Sequence, residues 1–329
     1  MTRAGVQYEE MAGLLLSLAL STIAFTRAPD ATAPWPNTDI YAMNADGTGV
    51  RALTRDGHSH HPNWSPDGRR VLFIHDSTLQ NGPAYPEPKE FASHHPVELH
   101  VMDADGGNRK LLRRIEPVIY SAAWSPDGKT IAVTCLPKRL TPVEQAGQTE
   151  PMQAGLYLLS ADGRGELRLL FRNAYTPAWS PDGKKFAFSV ESPRGSWSVH
   201  VANADGSSWR RLTDPRLMGG SPAWSPDGQQ IALAEFAGGG RDQQIFLMRA
   251  DGARRRQLTL DPAWSCDHPA WSPDGSRIVF YCRAASAPCG SPLPGCVRRI
   301  FTLDWRKPGA QPVPLLSHDG AAPAFSPAK

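Results

Sequence analysis

A five-residue tract, Trp-Ser-Pro-Asp-Gly, occurs five times in the chain, at 64–68, 124–128, 179–183, 224–228 and 271–275, and a shortened copy, Phe325-Ser326-Pro327, lies at its end. Repetition of this kind constrains the architecture before any residue is given a role. Each copy has to be one supersecondary unit that buries its apolar surface against its neighbours. The copies run through all 329 residues, so the sequence predicts a single domain and not two.

Residues 269–316 show one unit. Pro269-Ala270-Trp271-Ser272 is a short apolar strand, and Ser272-Pro273-Asp274-Gly275 has the chemistry of a tight turn. Proline presets φ, aspartate bonds the local backbone, and glycine accepts the left-handed conformation. Ser276 to Tyr281, rich in β-branched and aromatic residues, is a second strand, Arg299 to Asp304 a third and Val313 to Leu316 a fourth. The other copies add an Asp-Gly hairpin signal between their third and fourth strands, at 46–47, 105–106, 162–163, 205–206 and 251–252. Four antiparallel strands repeated radially are the blades of an all-β propeller. First strands ending at Trp64, Trp124, Trp179, Trp224, Trp271 and Phe325 predict a six-bladed β-propeller. The last has no strands after it, and Thr22-Ile23-Ala24-Phe25-Thr26 has the pattern of a second strand. The ring is therefore expected to close by joining the N- and C-terminal strands in one blade, which removes exposed edges.

Residues 22–329 are thus assigned to the propeller, and 1–21 to a candidate signal or membrane tether. Residues 12–20 are apolar and Ala19-Leu20-Ser21 fits a cleavage site. Glu9 and Glu10 stand where a positive segment is usual, so a buried segment or a misassigned start is the other reading. The five cysteines permit disulfides; a Cys282–Cys296 bridge would close the base of a strand pair, with zinc as the alternative. A net charge of +3 argues against nucleic acid. Arg254-Arg255-Arg256 is the densest basic run, and its plain reading is a solvated hairpin end.

The Trp-Ser-Pro-Asp-Gly tracts, the strands Asp39–Gly47 (DIYAMNADG) and Ile245–Gly252 (IFLMRADG), and the RRLT and RQLT strands resemble the propeller of the TolB family. The resemblance covers nearly all of residues 22–329 and does not extend to the α/β domain that precedes the propeller in TolB. It implies a monomeric, noncatalytic binding or scaffold protein, periplasmic or extracellular, with a protein or glycan partner and no cofactor. Similar propellers accompany the hydrolase domain of prolyl-oligopeptidase-type peptidases and form oligogalacturonate lyases. The serine hydrolase is set aside because no G-x-S-x-G tract occurs. A metal-assisted lyase using a divalent cation is the surviving enzyme alternative.

Strand alternation puts the short Asp-Gly turns on one face and the long connections on the other, including 76–97, 136–153 and 283–298. Loops carried by a rigid frame are where binding resides, so the second face is the candidate partner-binding surface. Its histidines are His58, His60, His61, His75, His94, His95, His268 and His318. His61 and His268 sit beside first strands, which line the channel, and are the candidate metal ligands, with Asp56 as the nearest carboxylate. The turn aspartates and repeated tryptophans are expected to be structural.

Overall fold

The computed structural model describes residues 21–28, 38–76, 97–115, 118–136, 153–237, 242–285, 298–316 and 320–327. They form six four-stranded antiparallel sheets arranged as a propeller. The closing blade holds β1 (Thr22–Arg27), β2 (Asp39–Asn44), β3 (Arg51–Ala52) and, from the other end of the chain, β24 (Ala321–Phe325). Blade 1 is β4 (Ser59–Trp64), β5 (Arg70–Asp76), β6 (Val97–Asp103) and β7 (Lys110–Ile115). Blade 2 is β8 (Val118–Trp124), β9 (Thr130–Leu136), β10 (Gly155–Ser160) and β11 (Arg168–Arg172). Blade 3 is β12 (Ala174–Trp179), β13 (Lys185–Glu191), β14 (Trp197–Asn203) and β15 (Arg210–Arg211). Blade 4 is β16 (Gly220–Trp224), β17 (Gln230–Phe236), β18 (Gln243–Arg249) and β19 (Arg256–Gln257). Blade 5 is β20 (Trp264–Trp271), β21 (Ile278–Ala284), β22 (Arg298–Leu303) and β23 (Val313–Pro314). The strand expected from Thr22–Thr26 is β1, paired on one side to β2 and on the other to β24.

The repeated turn explains itself locally. In blade 1 the Ser65 hydroxyl donates to Asp67 at 2.6 Å and accepts from the Arg70 amide at 2.9 Å, while Asp67 accepts from the Arg69 amide at 3.1 Å. The same three bonds recur around Ser125, Ser180, Ser225 and Ser272. Gly68, Gly128, Gly183, Gly228 and Gly275 hold φ of +66° to +70°, which suits glycine. All five rest on the tract proline of the preceding blade, Gly128 on Pro66 and Gly68 on Pro327 of the closing blade for example, so the turns also interlock the ring.

Packing between blades supplies the core. Phe280, Ile278 and Trp271 of blade 5 meet Ala232, Ile245 and Leu247 of blade 4 in one buried cluster, and equivalent clusters fill the other seams. The tryptophans work here: the indole N–H of Trp64 donates to the Ala324 carbonyl at 3.2 Å, and that of Trp271 to Ala223 at 3.1 Å, each one blade back. Phe280 is fully buried. Phe280→Ala is expected to cost about 3–5 kcal/mol in urea unfolding, as for other large core truncations.

Two local expectations change. The first strand of blade 5 begins at Trp264, because a bulge between Asp267 and Ala270 lets pairing continue past Pro269. Cys282 is bonded to Cys266, its direct cross-strand neighbour, and not to Cys296, which lies outside the described residues. The bond closes a sequence separation of 16 residues. Replacing both cysteines with alanine is expected to lower stability by about 3 kcal/mol, the chain-entropy value for such a loop. An unchanged urea midpoint for the double variant would contradict this.

Candidate functional site at the channel mouth

The six first strands surround a central cavity of 450 Å³. Each carries a register shift three to four residues before its aromatic end, and five of the residues there hold positive φ: His61, Thr176, Ser221, His268 and Ala322. Each of the five precedes a proline, which has no N–H to lose from the ladder and so fits a bulge. Blade 2 has Ser121-Ala122 at this place. The bulges lie at the channel end remote from the tight turns, so these side chains form the mouth on the face that carries the long connections.

His61 and His268 meet there, with ring centroids 5.9 Å apart. His60 Nδ1 lies 2.8 Å from His61 Nδ1, and His61 packs at 6.2 Å against Tyr120. Tyr281 lies 5.5 Å from His268, and Tyr120 continues to Tyr175 at 6.5 Å and on to Trp197 at 4.9 Å. The carboxylate at the mouth is Asp267, 3.2 Å from His268 Nδ1. Burial lowers the His268 pKa, but the charge and hydrogen bond of Asp267 outweigh it and leave it above its usual value. Burial, then the neighbouring His60 and His268, hold His61 well below its usual value. Desolvation pushes Tyr120 and Tyr175 up to about 12 and raises Tyr281 as well, with Asp267 adding to the shift of Tyr120. The mouth therefore offers phenol and indole donors, a neutral imidazole at His61, and at His268 an imidazole whose charged form the Asp267 carboxylate favours.

The remaining predicted histidines lie elsewhere. His58 and His75 pack 6.1 Å apart beside the seam between the closing blade and blade 1, where His75 meets His100 at 5.1 Å. Asp56 belongs to this group: it binds Arg109, lies 3.7 Å from His75, and accepts from Ser59. The expectation that Asp56 joins the channel histidines is therefore corrected, because a guanidinium on a neighbouring hairpin draws its carboxylate away from the axis. His94, His95 and His318, and most of the three long insertions, lie outside the described residues. Among the described residues no group of three or more His, Cys, Asp or Glu side chains is placed to hold a metal ion. His268, drawn to Asp267, is also poorly disposed to donate a neutral nitrogen.

Tyr120, Tyr175, Trp197, Asp267 and Tyr281 complete the mouth and were not singled out from sequence. The signal was present. Counting back four residues from each first-strand aromatic gives His60, Tyr120, Tyr175, Gly220, Asp267 and Ala321, which is one ring position.

The molecule is thus a six-bladed propeller with an aromatic, donor-rich channel mouth. The chain belongs to the TolB beta propeller domain family, whose model matches residues 84–287. Over 122 residues it is 36% identical to the Tol-Pal system protein TolB of Anaeromyxobacter dehalogenans, a match covering 36% of this chain and 25% of that relative. The structure of TolB from Acinetobacter baumannii superposes with a TM-score of 0.70 at 17% identity, over 99% of this chain and 72% of the other. An oligogalacturonate lyase in complex with manganese superposes at 0.53 and 17% identity, over 83% and 70% of the two chains. Both structural likenesses are in fold. No helix among the described residues is long and apolar enough to cross a membrane.

Proposed function

We propose that this protein is a noncatalytic binding propeller that captures a protein partner at the channel mouth, outside the cytoplasm. Membership of a TolB-like family supports a binding or scaffold role in general. The observation that carries the finer reading is the continuous aromatic run from His268 through His61, Tyr120 and Tyr175 to Trp197, with Tyr120 40% exposed at its centre. Amphipathic rings on a rigid frame anchor protein interfaces at small entropic cost. The periplasmic placement rests on the Tol-Pal relative and agrees with the Cys266–Cys282 bond, which suits an oxidising compartment. A glycan would also stack on such rings, and a monomer with a tethered or cleaved residue 1–21 segment completes the proposal.

The test uses the propeller as bait against envelope extract of its host. Tyr120→Ser with Trp197→Ser is expected to lose the partners retained by the parent protein while keeping the same thermal midpoint. Loss of capture together with collapse of the midpoint, or capture unchanged, removes the mouth as the binding surface. Metal-assisted uronide cleavage is the second reading, favoured only by the approach of His61 to His268. It expects manganese uptake in isothermal titration, and a flat titration discards it.

A further inference from the structure

The basic run Arg254-Arg255-Arg256 divides in three directions. Arg255 turns inward to the Glu235 carboxylate, with its guanidinium 4.0 Å above Phe246. Arg256 reaches across to blade 5 and donates to the Trp305 carbonyl at 2.9 Å. Arg254 instead lines a groove of 750 Å³ between blades 3 and 4, on the tight-turn face.

The hairpin that carries Arg254 departs from its counterparts. In every blade hairpin of this type the glycine amide donates back to the residue three before it: Asn44, Asp103, Ser160, Asn203 and, in blade 4, Arg249. Two residues beyond that glycine the backbone holds positive φ, at Gly49, Asn108, Gly165, Ser208 and, in blade 4, Arg254. Four hairpins give both positions to glycine or short polar residues, as the geometry favours. Blade 4 puts arginine at both. A long cation at a left-handed position is a local cost, and among the described residues the Arg254 side chain makes no hydrogen bond or ion pair that offsets it.

The groove collects further charge. Lys185 and Arg210 of blade 3 line it with Arg249, Arg254 and Arg256, and the acid among its lining residues is Asp251. Asp251 is engaged already, 3.0 Å from Arg249 and accepting through its carbonyl from Arg210 at 3.2 Å. The Gln229 and Gln230 amides lie alongside. With the Arg256 guanidinium turned to blade 5, four cations, Lys185, Arg210, Arg249 and Arg254, line the groove with one satisfied carboxylate and leave a concentrated positive site whose guanidinium forks match phosphate oxygens.

We propose that this groove binds a phosphate-bearing anion of two or more negative charges. It lies on the face opposite the channel mouth, so it stands independently of partner capture there. Arg210 and Arg256 also bolt neighbouring blades together, so the variants that test the site are Lys185→Gln and Arg254→Asn combined. Two probes separate the sources of phosphate: inorganic pyrophosphate in isothermal titration, and sedimentation with phosphatidylglycerol vesicles against phosphatidylcholine vesicles. The parent protein is expected to bind at least one probe, more weakly as salt rises. The double variant should bind about tenfold more weakly, because charge-assisted hydrogen bonds are lost. Its thermal midpoint should stay level or rise, since asparagine accepts positive φ more readily than arginine. Pyrophosphate binding alone places the ligand in solution, and binding to anionic vesicles places it at a bilayer surface. The proposal is overturned if the parent binds neither probe, if the double variant binds as the parent does, or if Lys129→Gln in blade 2 weakens binding equally.

Discussion

Arg255→Ala is expected to lower the free energy of unfolding by about 3–4 kcal/mol at neutral pH, the cost of leaving a buried charge without its partner. Its partner Glu235 has no exposed surface, and one of its carboxylate oxygens has no hydrogen bond among the described residues. Burial pushes the Glu235 pKa up against the pull of Arg255, so the folded state already favours its protonated form more than the unfolded chain does. Removing the guanidinium strands that carboxyl in the seam beside Leu233 and Phe246. A raised carboxyl pKa contributes stability that is present below the unfolded value and lost as pH rises through the folded one. The deficit of Arg255→Ala should therefore shrink in acid, where Glu235 is protonated in both states. Adding Glu235→Leu should restore most of the loss, because the charge then no longer needs an answer. Urea unfolding of the two single variants and the pair decides it; a single-variant loss under about 1 kcal/mol, typical of an exposed pair, would sink the argument.

Acidification is expected to destabilise the ring before the turn aspartates titrate. Burial holds His60, His75 and His200 down at about 4, against an unfolded value near 6.5. Between those values the unfolded chain binds protons that the folded protein refuses, so stability falls as pH drops through the window. Each such proton contributes up to about 1.4 kcal/mol per pH unit, so the three together amount to at most on the order of 10 kcal/mol across it. The geometry shows why they stay neutral. His200 Nδ1 accepts from the Trp209 indole N–H at 2.5 Å, and a protonated ring would set two donors against each other. His268 acts in the opposite sense: its raised pKa contributes stability that is full below the unfolded value and lost as pH rises. The turn aspartates, lowered by their serine hydrogen bonds, are lost only further down, as pH falls through their folded values. Urea midpoints should drop between pH 6.5 and 4, less steeply for His75→Gln. A flat profile there would contradict the burial of these rings.

The architecture was legible because its determinants are local. Serine, proline, aspartate and glycine make a turn whatever surrounds them, and β1 could be found at Thr22–Arg27 because alternation survives without its neighbours. The site was legible in part. His61 and His268 could be placed at the channel because both stand a fixed distance before a first-strand tryptophan. Tyr120 and Tyr175 occupy the neighbouring ring position but declare no metal chemistry by type, while Asp267 was passed over because Asp56 stands in the same loop as His58, His60 and His61. Asp56 was misjudged because its direction depends on Arg109, 53 residues away. The split of Arg254, Arg255 and Arg256 was equally hidden: it needs Glu235 on one side, Trp305 on the other and the preceding blade beneath.

The break in the ring falls where a sixth tight turn would be. The Thr22 amide donates to the Ser326 hydroxyl at 3.0 Å, and the Ser326 amide to the Thr22 carbonyl at 2.7 Å. These are the bonds that Ser65 and Arg70 make across a continuous loop. β24 and β1 thus rebuild the turn without a covalent link between Ser326 and Thr22, so this gap is equivalent to any of the five continuous tight turns. A chain spliced across this gap and opened at residues 64–68 would keep every strand pair, which makes the ring a natural subject for circular permutation.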